Sequence, residues 1–401
     1  IRGYFNGHQR MKITANSQTL EQLTKTLSTI IIVEVISMFF VQDVVIMAAG
    51  ANLATTLSVF ISFSYLYRYY KFKKSDISVE MPEVCEEPSY AKKSTKEIIK
   101  SIIAISIPIS VSSLVSAVNK SIDSITAVRG LKTFLSDEIA KFQFGIYTGK
   151  VDVLVGLPLS FNIAFATVLV PSISKLMAQK KKEDANKVVK FSLLATILIG
   201  LPCTFGMMVF AEQILKLLYP NAPEGAQLLQ ITSLTIILMM MAQTINGVLQ
   251  GIGKYRVPAT ALALGVIAKF ILNLILIPIP SIGINGVAIG SIVCHIISFS
   301  IGFAVLKRAM KIKFDVNKFL IKPLLATAIM CLISYLAYLL LVQFISWKLS
   351  AIVAIILAVP IYALAVAIMK ILDKEEIYRL PKGELIYKLL VKMKLYPSEV
   401  Q

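Results

Sequence analysis

Apolar residues in this chain do not alternate every second position, and over most of its length they do not recur every third or fourth. They run on for about twenty residues at a time before a short polar connector interrupts them, which is the length a helix needs to cross a bilayer's hydrocarbon. Such runs fall at roughly 18 to 41, 44 to 67, 98 to 118, 146 to 173, 188 to 218, 227 to 250, 257 to 279, 283 to 306, 320 to 345 and 349 to 371. The pattern predicts an all-α polytopic membrane protein with about ten transmembrane helices.

Composition agrees, with 56% hydrophobic and 16% charged residues in 401 and a mean hydropathy of +0.75. The net charge of +18 raises nucleic acid as a partner, but the cations sit in short connectors between apolar runs, so no nucleic-acid partner is expected. Basic connectors lie around Arg10 and Lys12, Arg68 to Lys74 with Lys92 and Lys93, Lys180 to Lys182, Lys254 and Arg256, and Lys307 to Lys313, and in the C-terminal tail; these are expected on the cytoplasmic side. Val41 to Asp43, Tyr219 to Glu224, Pro278 to Ile282 and Trp347-Lys348 are nearly free of cations and should face outward. The mixed stretch Lys120 to Lys141 departs from the alternation and reads as an amphipathic segment at the outer interface. The first residue is Ile and the first segment is basic, not a signal peptide, so the chain reads as part of something longer. Cys85, Cys203, Cys294 and Cys331 are scattered and read as free thiols.

The opening segment returns later in the chain. Arg2 to Lys12 aligns without gaps on Asn246 to Arg256, pairing Gly3 with Gly247, Gly7 with Gly251 and Arg10 with Lys254, and the same offset places Lys25 on Lys269. At a slightly different offset Ala48, Gly50, Leu66 and Arg68 fall on Ala288, Gly290, Leu306 and Arg308. Six predicted spans separate the two basic turns, an even number, so the repeat is parallel rather than inverted. Four spans precede the second turn and none precede the first, which points to four spans outside this chain. The organisation reads as 1–74, the end of an N-terminal lobe with two spans; 75–97, a cytoplasmic inter-lobe loop hinged at Ser75 to Ser89; 98–310, a C-terminal six-span lobe; 319–371, two additional spans; and 372–401, a cytoplasmic tail. Lys374 to Lys394 alternates Lys with Ile, Leu and Tyr and suits an amphipathic helix on the inner leaflet, with a solvated tail as the alternative.

Arg2-Gly3-Tyr4-Phe5-Asn6-Gly7, followed by Gln18 and Glu21-Gln22, resembles the turn of the stage V sporulation protein B and YtgP group of MurJ-like lipid-linked oligosaccharide flippases. Leu157-Pro158-Leu159, Leu169-Val170-Pro171-Ser172-Ile173-Ser174 and Leu249 to Lys254 with Val257-Pro258-Ala259 resemble that group's second-lobe motifs. The resemblance implies the two-lobe, roughly fourteen-helix fold of the multidrug/oligosaccharidyl-lipid/polysaccharide exporter superfamily, with parallel internal repeats. It also implies a flippase for polyprenyl-diphosphate glycans, in the bacterial cytoplasmic membrane, that needs no cofactor. Its partners would be the lipid-linked substrate, membrane lipids and a coupling ion. The rival readings are a drug or cation antiporter of the same superfamily and a membrane enzyme of polysaccharide assembly.

A charge inside a span costs a few kcal/mol and so faces a partner, a ligand or a wet cavity. Lys150, in Tyr147-Thr148-Gly149-Lys150-Val151-Asp152, is the first candidate for holding a diphosphate, because in MurJ-like proteins a cation of this helix lines the cavity. Lys25 lies about eleven residues beyond Thr14, about 17 Å into its helix. Lys269 with Asn273 forms an i,i+4 polar pair, and Asn119 completes the candidate set for the substrate. Asp152, Asp123 and Glu34 are candidates for coupling or gating. Snorkelling or structural pairing with carboxylates is the competing reading for Lys25 and Lys269. Pro108, Pro158, Pro202 and Gly206 interrupt spans, Gly3, Gly7, Gly247 and Gly251 suit close helix approach, and Met239, Met240 and Met241 read as packing. His8 and His295 are the only histidines, without metal-ligand spacing or a nucleophile motif, so the chain reads as a transporter rather than an enzyme.

Overall fold

The computed structural model describes residues 1–7, 11–39, 44–72, 94–312, 314–379, 382–393 and 395–396. His8, Cys85 and the proposed hinge Ser75 to Ser89 lie outside them. The chain divides into two compact units, Ile1–Lys93 and Ser94–Gln401, each described by itself below.

The first unit holds α1 (Arg2–Gly7), α2 (Met11–Phe39) and α3 (Val44–Phe72). The long helices α2 and α3 pack along each other, and Gly50 permits the approach, since a Cβ there would stand 2.3 Å from Ile36 Cδ1. One cation joins all three helices: Arg2 donates to Glu21 Oε2 at 2.5 Å on α2 and to Ser62 Oγ at 3.0 Å on α3. Among the described residues none comes within 4 Å of where a Cβ at Gly3 would stand, so the expected close approach is not seen there.

The second unit runs α4 (Thr95–Leu131), α5 (Asp137–Ile146), a π turn Tyr147–Val151, α6 (Asp152–Ala178), α7 (Lys182–Val209), α8 (Ala211–Leu218), α9 (Ala226–Gly251), α10 (Arg256–Leu276) and α11 (Asn285–Met310). A second π turn, Asn317–Ile321, leads into α12 (Lys322–Leu341), followed by α13 (Trp347–Ile368) and the short α14 (Lys374–Tyr378) and α15 (Gly383–Lys392). Helix α9 is the hub, packed against α6, α7 and α11, while α12 and α13 pair with each other and lean on α7 and α8. Helices suit the medium because each satisfies its own backbone hydrogen bonds where no water is available.

Among the described residues nine helices are long and apolar enough to cross a membrane, not ten. The predicted first span is the continuous helix α2, which is not among the nine and carries Gln18, Glu21, Gln22, Lys25 and Glu34. Lys120 to Lys141 holds no separate amphipathic segment between spans: it is the end of α4, a turn, and the start of α5, which continues through the π turn into α6. Span 188 to 218 breaks at Phe210 into α7 and α8. Pro108, Pro158 and Pro202 lie inside helices that continue through them.

Between membrane helices there is little hydrophobic drive, so close packing and polar cross-links must supply adhesion. Gly247 and Gly251 carry α9 against α6, as the sequence predicts; a Cβ at Gly247 would lie 2.8 Å from Ala166 O. Asn162 on α6 donates to Met240 O at 2.9 Å and Gln243 Oε1 at 3.0 Å on α9, and Thr196 on α7 meets Thr244 Oγ1 at 2.8 Å. The α10–α11 hairpin closes at Gly290, where a Cβ would stand 2.4 Å from Asn273 Oδ1 and 3.2 Å from Lys269 Cγ. Gly290→Val should therefore cost about 1–3 kcal/mol by overpacking. A thermal melt in detergent that leaves the midpoint unchanged would contradict this packing.

Candidate functional site

Of the candidate residues, Asp123, Lys269 and Asn273 are brought together, and Asn119 lies one turn from Asp123 on the same helix. Asp123, on α4, and Lys269 and Asn273, on α10, meet where these two helices pack. Lys269 Nζ donates to Asp123 Oδ2 at 2.6 Å, and Asn273 Nδ2 donates to Asp123 Oδ1 at 3.3 Å and to Thr126 Oγ1 at 3.0 Å. Lys269 is 1% exposed and Asn273 fully buried. The i,i+4 spacing puts both side chains on the face of α10 that meets α4, so one carboxylate reaches both. Asn119 Oδ1 is buried with no hydrogen-bond partner among the described residues. This is a closed ion pair, not an ammonium presented to a ligand, and the sequence reading that weighed structural pairing for Lys269 describes it.

Lys150 sits on the π turn that joins α5 to α6. A π turn inserts one residue into a helix and re-aims its side chains; here Tyr147 and Val151 turn inward and are buried. The Lys150 ammonium donates to Ala222 O at 2.5 Å, stands 3.5 Å from Glu224 Oε2 and lies 5.4 Å from the Tyr219 ring centroid. All three partners belong to the 219–225 connector between α8 and α9. Gly225 completes that connector at φ +106, a left-handed conformation in which a Cβ would also lie 2.6 Å from Ile146 Cγ2. Lys150 thus ties a loop to the head of α6. Asp152, two residues on, is exposed.

In the first unit, Lys25 and Glu34 both lie exposed on α2. Glu21, one turn before Lys25, is held by Arg2, and no described residue pairs with the Lys25 ammonium.

The sequence reading passed over a cleft between α6 and α9. Gln243, Asn246 and Gln250, at i, i+3 and i+7, share one half-buried face of α9 and border a cavity of about 260 Å³ with Thr167, Ile163 and Val170 of α6. The signal was present as three amides at helical spacing in the last third of α9. Amides and a hydroxyl offer donors and acceptors without net charge, a set suited to hydroxyl-rich groups. A second cavity, about 430 Å³, lies among α7, α12 and α13 and is lined almost wholly by apolar groups, among them Ile199, Pro202, Met207, Met330 and Val359.

The Lys269–Asp123 pair gives a direct test. Removing one partner strands the other charge in an apolar interior, at about 3–5 kcal/mol, whereas replacing both by apolar residues is near neutral or stabilising. Lys269→Met and Asp123→Leu should each lower the melting temperature, and the double variant should recover most of it; single variants that melt like the parent would refute a closed pair.

The polysaccharide biosynthesis protein family matches residues 1–177, and the MatE family matches residues 145–275. The lipid II flippase MurJ of Bacillus subtilis is 26% identical over 312 residues, covering 77% of this chain and 56% of the relative. The stage V sporulation protein B of the same organism is 23% identical over 387 residues, covering 95% of this chain and 72% of the relative. The uncharacterized membrane protein YabM, also of Bacillus subtilis, is 28% identical over 296 residues, covering 73% of this chain and 53% of the relative. The chain thus spans little more than half the length of two of these proteins. A solved structure of the lipid II flippase MurJ in an inward closed conformation superposes with a TM-score of 0.59 at 17% identity, covering 90% of this chain and 69% of that one. The fold is of the MurJ type, and the chain is a multi-pass protein of the cytoplasmic membrane resembling the MurJ and stage V sporulation protein B group.

Proposed function

We propose that this chain, a relative of the MurJ and stage V sporulation protein B flippases, moves polyprenyl-diphosphate-linked glycans across the membrane by alternating access. The observation that carries the reading is sequence similarity to the lipid II flippase across 312 residues, 77% of this chain. A transporter is favoured over an enzyme because none of these relatives is named as one.

The chemistry asks for three environments. A diphosphate needs a cation inside the membrane, a saccharide needs neutral donors and acceptors, and the isoprenoid needs an apolar surface, over about 30 Å of hydrocarbon. Lys25 is the cation we assign to the diphosphate, since Lys269 answers Asp123 and Lys150 answers the 219–225 connector. In the second unit, taken by itself, Gln243, Asn246 and Gln250 offer amides suited to a saccharide, and the cleft beside α12 and α13 offers an apolar surface. Lys150, Asp152 and Asp123 then serve as positioning residues at helix ends and helix contacts. Glu34 is left as the carboxylate for a coupling ion.

The second reading, a drug or cation antiporter, is favoured by the MatE match over residues 145–275. The pair α12 and α13, which follows the second repeat, speaks for a lipid substrate instead. Vesicles carrying the protein and fluorescent lipid II separate the two: flipping is read as headgroup accessibility on the far leaflet, efflux as loss of a cationic dye. Dye efflux without flipping would overturn the flippase reading. Lys25→Ala should reduce flipping at least about tenfold, the loss of one charge-assisted contact, and Lys25→Arg should retain part of it. An alanine variant that flips at the parent rate would remove Lys25 from the path.

A further inference from the structure

Beyond α13 the described tail, as far as Tyr396, keeps contact with the second unit. Ile371 is fully buried in a cluster with Leu194, Ala326 and Ala365. Arg379 lies 5.9 Å from the Phe191 ring centroid, and Phe191 is where the charges of Lys187 and Lys190 end and the uncharged run of α7 begins. At the far end of the tail, Tyr396 Oη donates to Leu372 O at 2.7 Å. Both ends of the segment are therefore fixed at the level where α7 enters the apolar layer, and α15 lies between them.

Helix α15 divides into three stripes at helical spacing. Gly383 and Tyr387 form the packed stripe, with Tyr387 3% exposed and its ring 5.4 Å from that of Tyr378. Glu384, Lys388 and Lys392 form the charged stripe. The third stripe, Leu385, Ile386, Leu389 and Met393, is apolar yet 63%, 38%, 54% and 47% exposed. Lys187 and Lys190 of α7 and Lys374 and Arg379 of the tail border a cleft of about 460 Å³. Lys318 engages two of the cleft's carboxylates, Asp373 and Glu376, at 2.5 and 2.8 Å, so that with Lys187, Lys190, Lys374 and Arg379 five cations stand against three carboxylates there.

We propose that this tail is an anionic-lipid docking element: the Leu385–Ile386–Leu389–Met393 stripe enters the acyl layer, and the four cations border a site for lipid phosphate. A helix with an unpartnered apolar face, lysines on its flank and both ends held at the membrane boundary meets lipid before any soluble partner. The excess of positive charge selects phosphatidylglycerol-type over zwitterionic headgroups.

Trp347 is the only tryptophan, so Trp347→Phe with Leu389→Trp puts a single reporter on the stripe. In vesicles of mixed phosphatidylglycerol and phosphatidylcholine, the reporter should emit at short wavelength and lose intensity when the acyl chains are brominated. Bromine on phosphatidylglycerol should quench more than the same mole fraction on phosphatidylcholine, and Lys187→Gln with Lys190→Gln should abolish that difference while leaving quenching in place. Long-wavelength emission without quenching would show a water-facing stripe and overturn the proposal. Short-wavelength emission insensitive to bromine would also overturn it, showing that protein, a second copy included, covers the face. Equal quenching by the two lipids would overturn the anionic selectivity. Unchanged helix content by circular dichroism shows that the variants are folded.

Discussion

A polar group in hydrocarbon has no water to fall back on, and this requirement organises the second unit. Lys269, Asp123, Asn273 and Thr126 answer one another across α4 and α10, and Asn162, Gln243, Thr196 and Thr244 do so across α6, α7 and α9. Each set joins helices that have little hydrophobic reason to prefer one another over lipid tails. Glycines at the same contacts, Gly290 for α10–α11 and Gly247 for α6–α9, bring the backbones close enough for short polar side chains to meet. Polar satisfaction and close packing are one constraint here. A larger residue at Gly290 would displace Asn273, and with it the second hydrogen-bond donor to Asp123.

The same requirement sorts function from structure. A buried cation whose partner is supplied by the protein is already neutralised and offers a substrate little; one with no protein partner carries the attraction outward. Lys269 and Lys150 have protein partners, whereas no described residue pairs with the exposed Lys25 of α2. Neutral amides along α9 add recognition without the desolvation penalty of further charge.

Much of the fold was legible because membrane helices announce themselves by length and apolarity, and the repeat was legible because α2–α3 and α10–α11 share spacing as well as residues. What was not legible is what depends on partners far away in sequence. Lys150 meets Ala222, 72 residues on, and Lys269 meets Asp123 across 146 residues; no spacing rule reports either. The continuity of α5 with α6 was hidden for a different reason: a π turn inserts a residue and shifts the helical phase without leaving a composition signal.

The clearest lesson of the repeat is its asymmetry. Lys25 and Lys269 occupy matched positions, four residues after Glu21 and Gly265 respectively. On α2 the preceding turn supplies a carboxylate at the spacing that would pair with lysine, but Arg2 takes it and ties α1 to α2 instead. On α10 the same position is a glycine, where a Cβ would lie 2.5 Å from Cys294 O, so that turn serves packing and the lysine looks outward to Asp123 on another helix. One copy of the motif has thus diverted its local carboxylate, and no described residue pairs with its lysine; the other has recruited a distant carboxylate, Asp123. Both helix pairs keep their close approach, α2–α3 at Gly50 and α10–α11 at Gly290, where the Lys269 stem takes part in the packing.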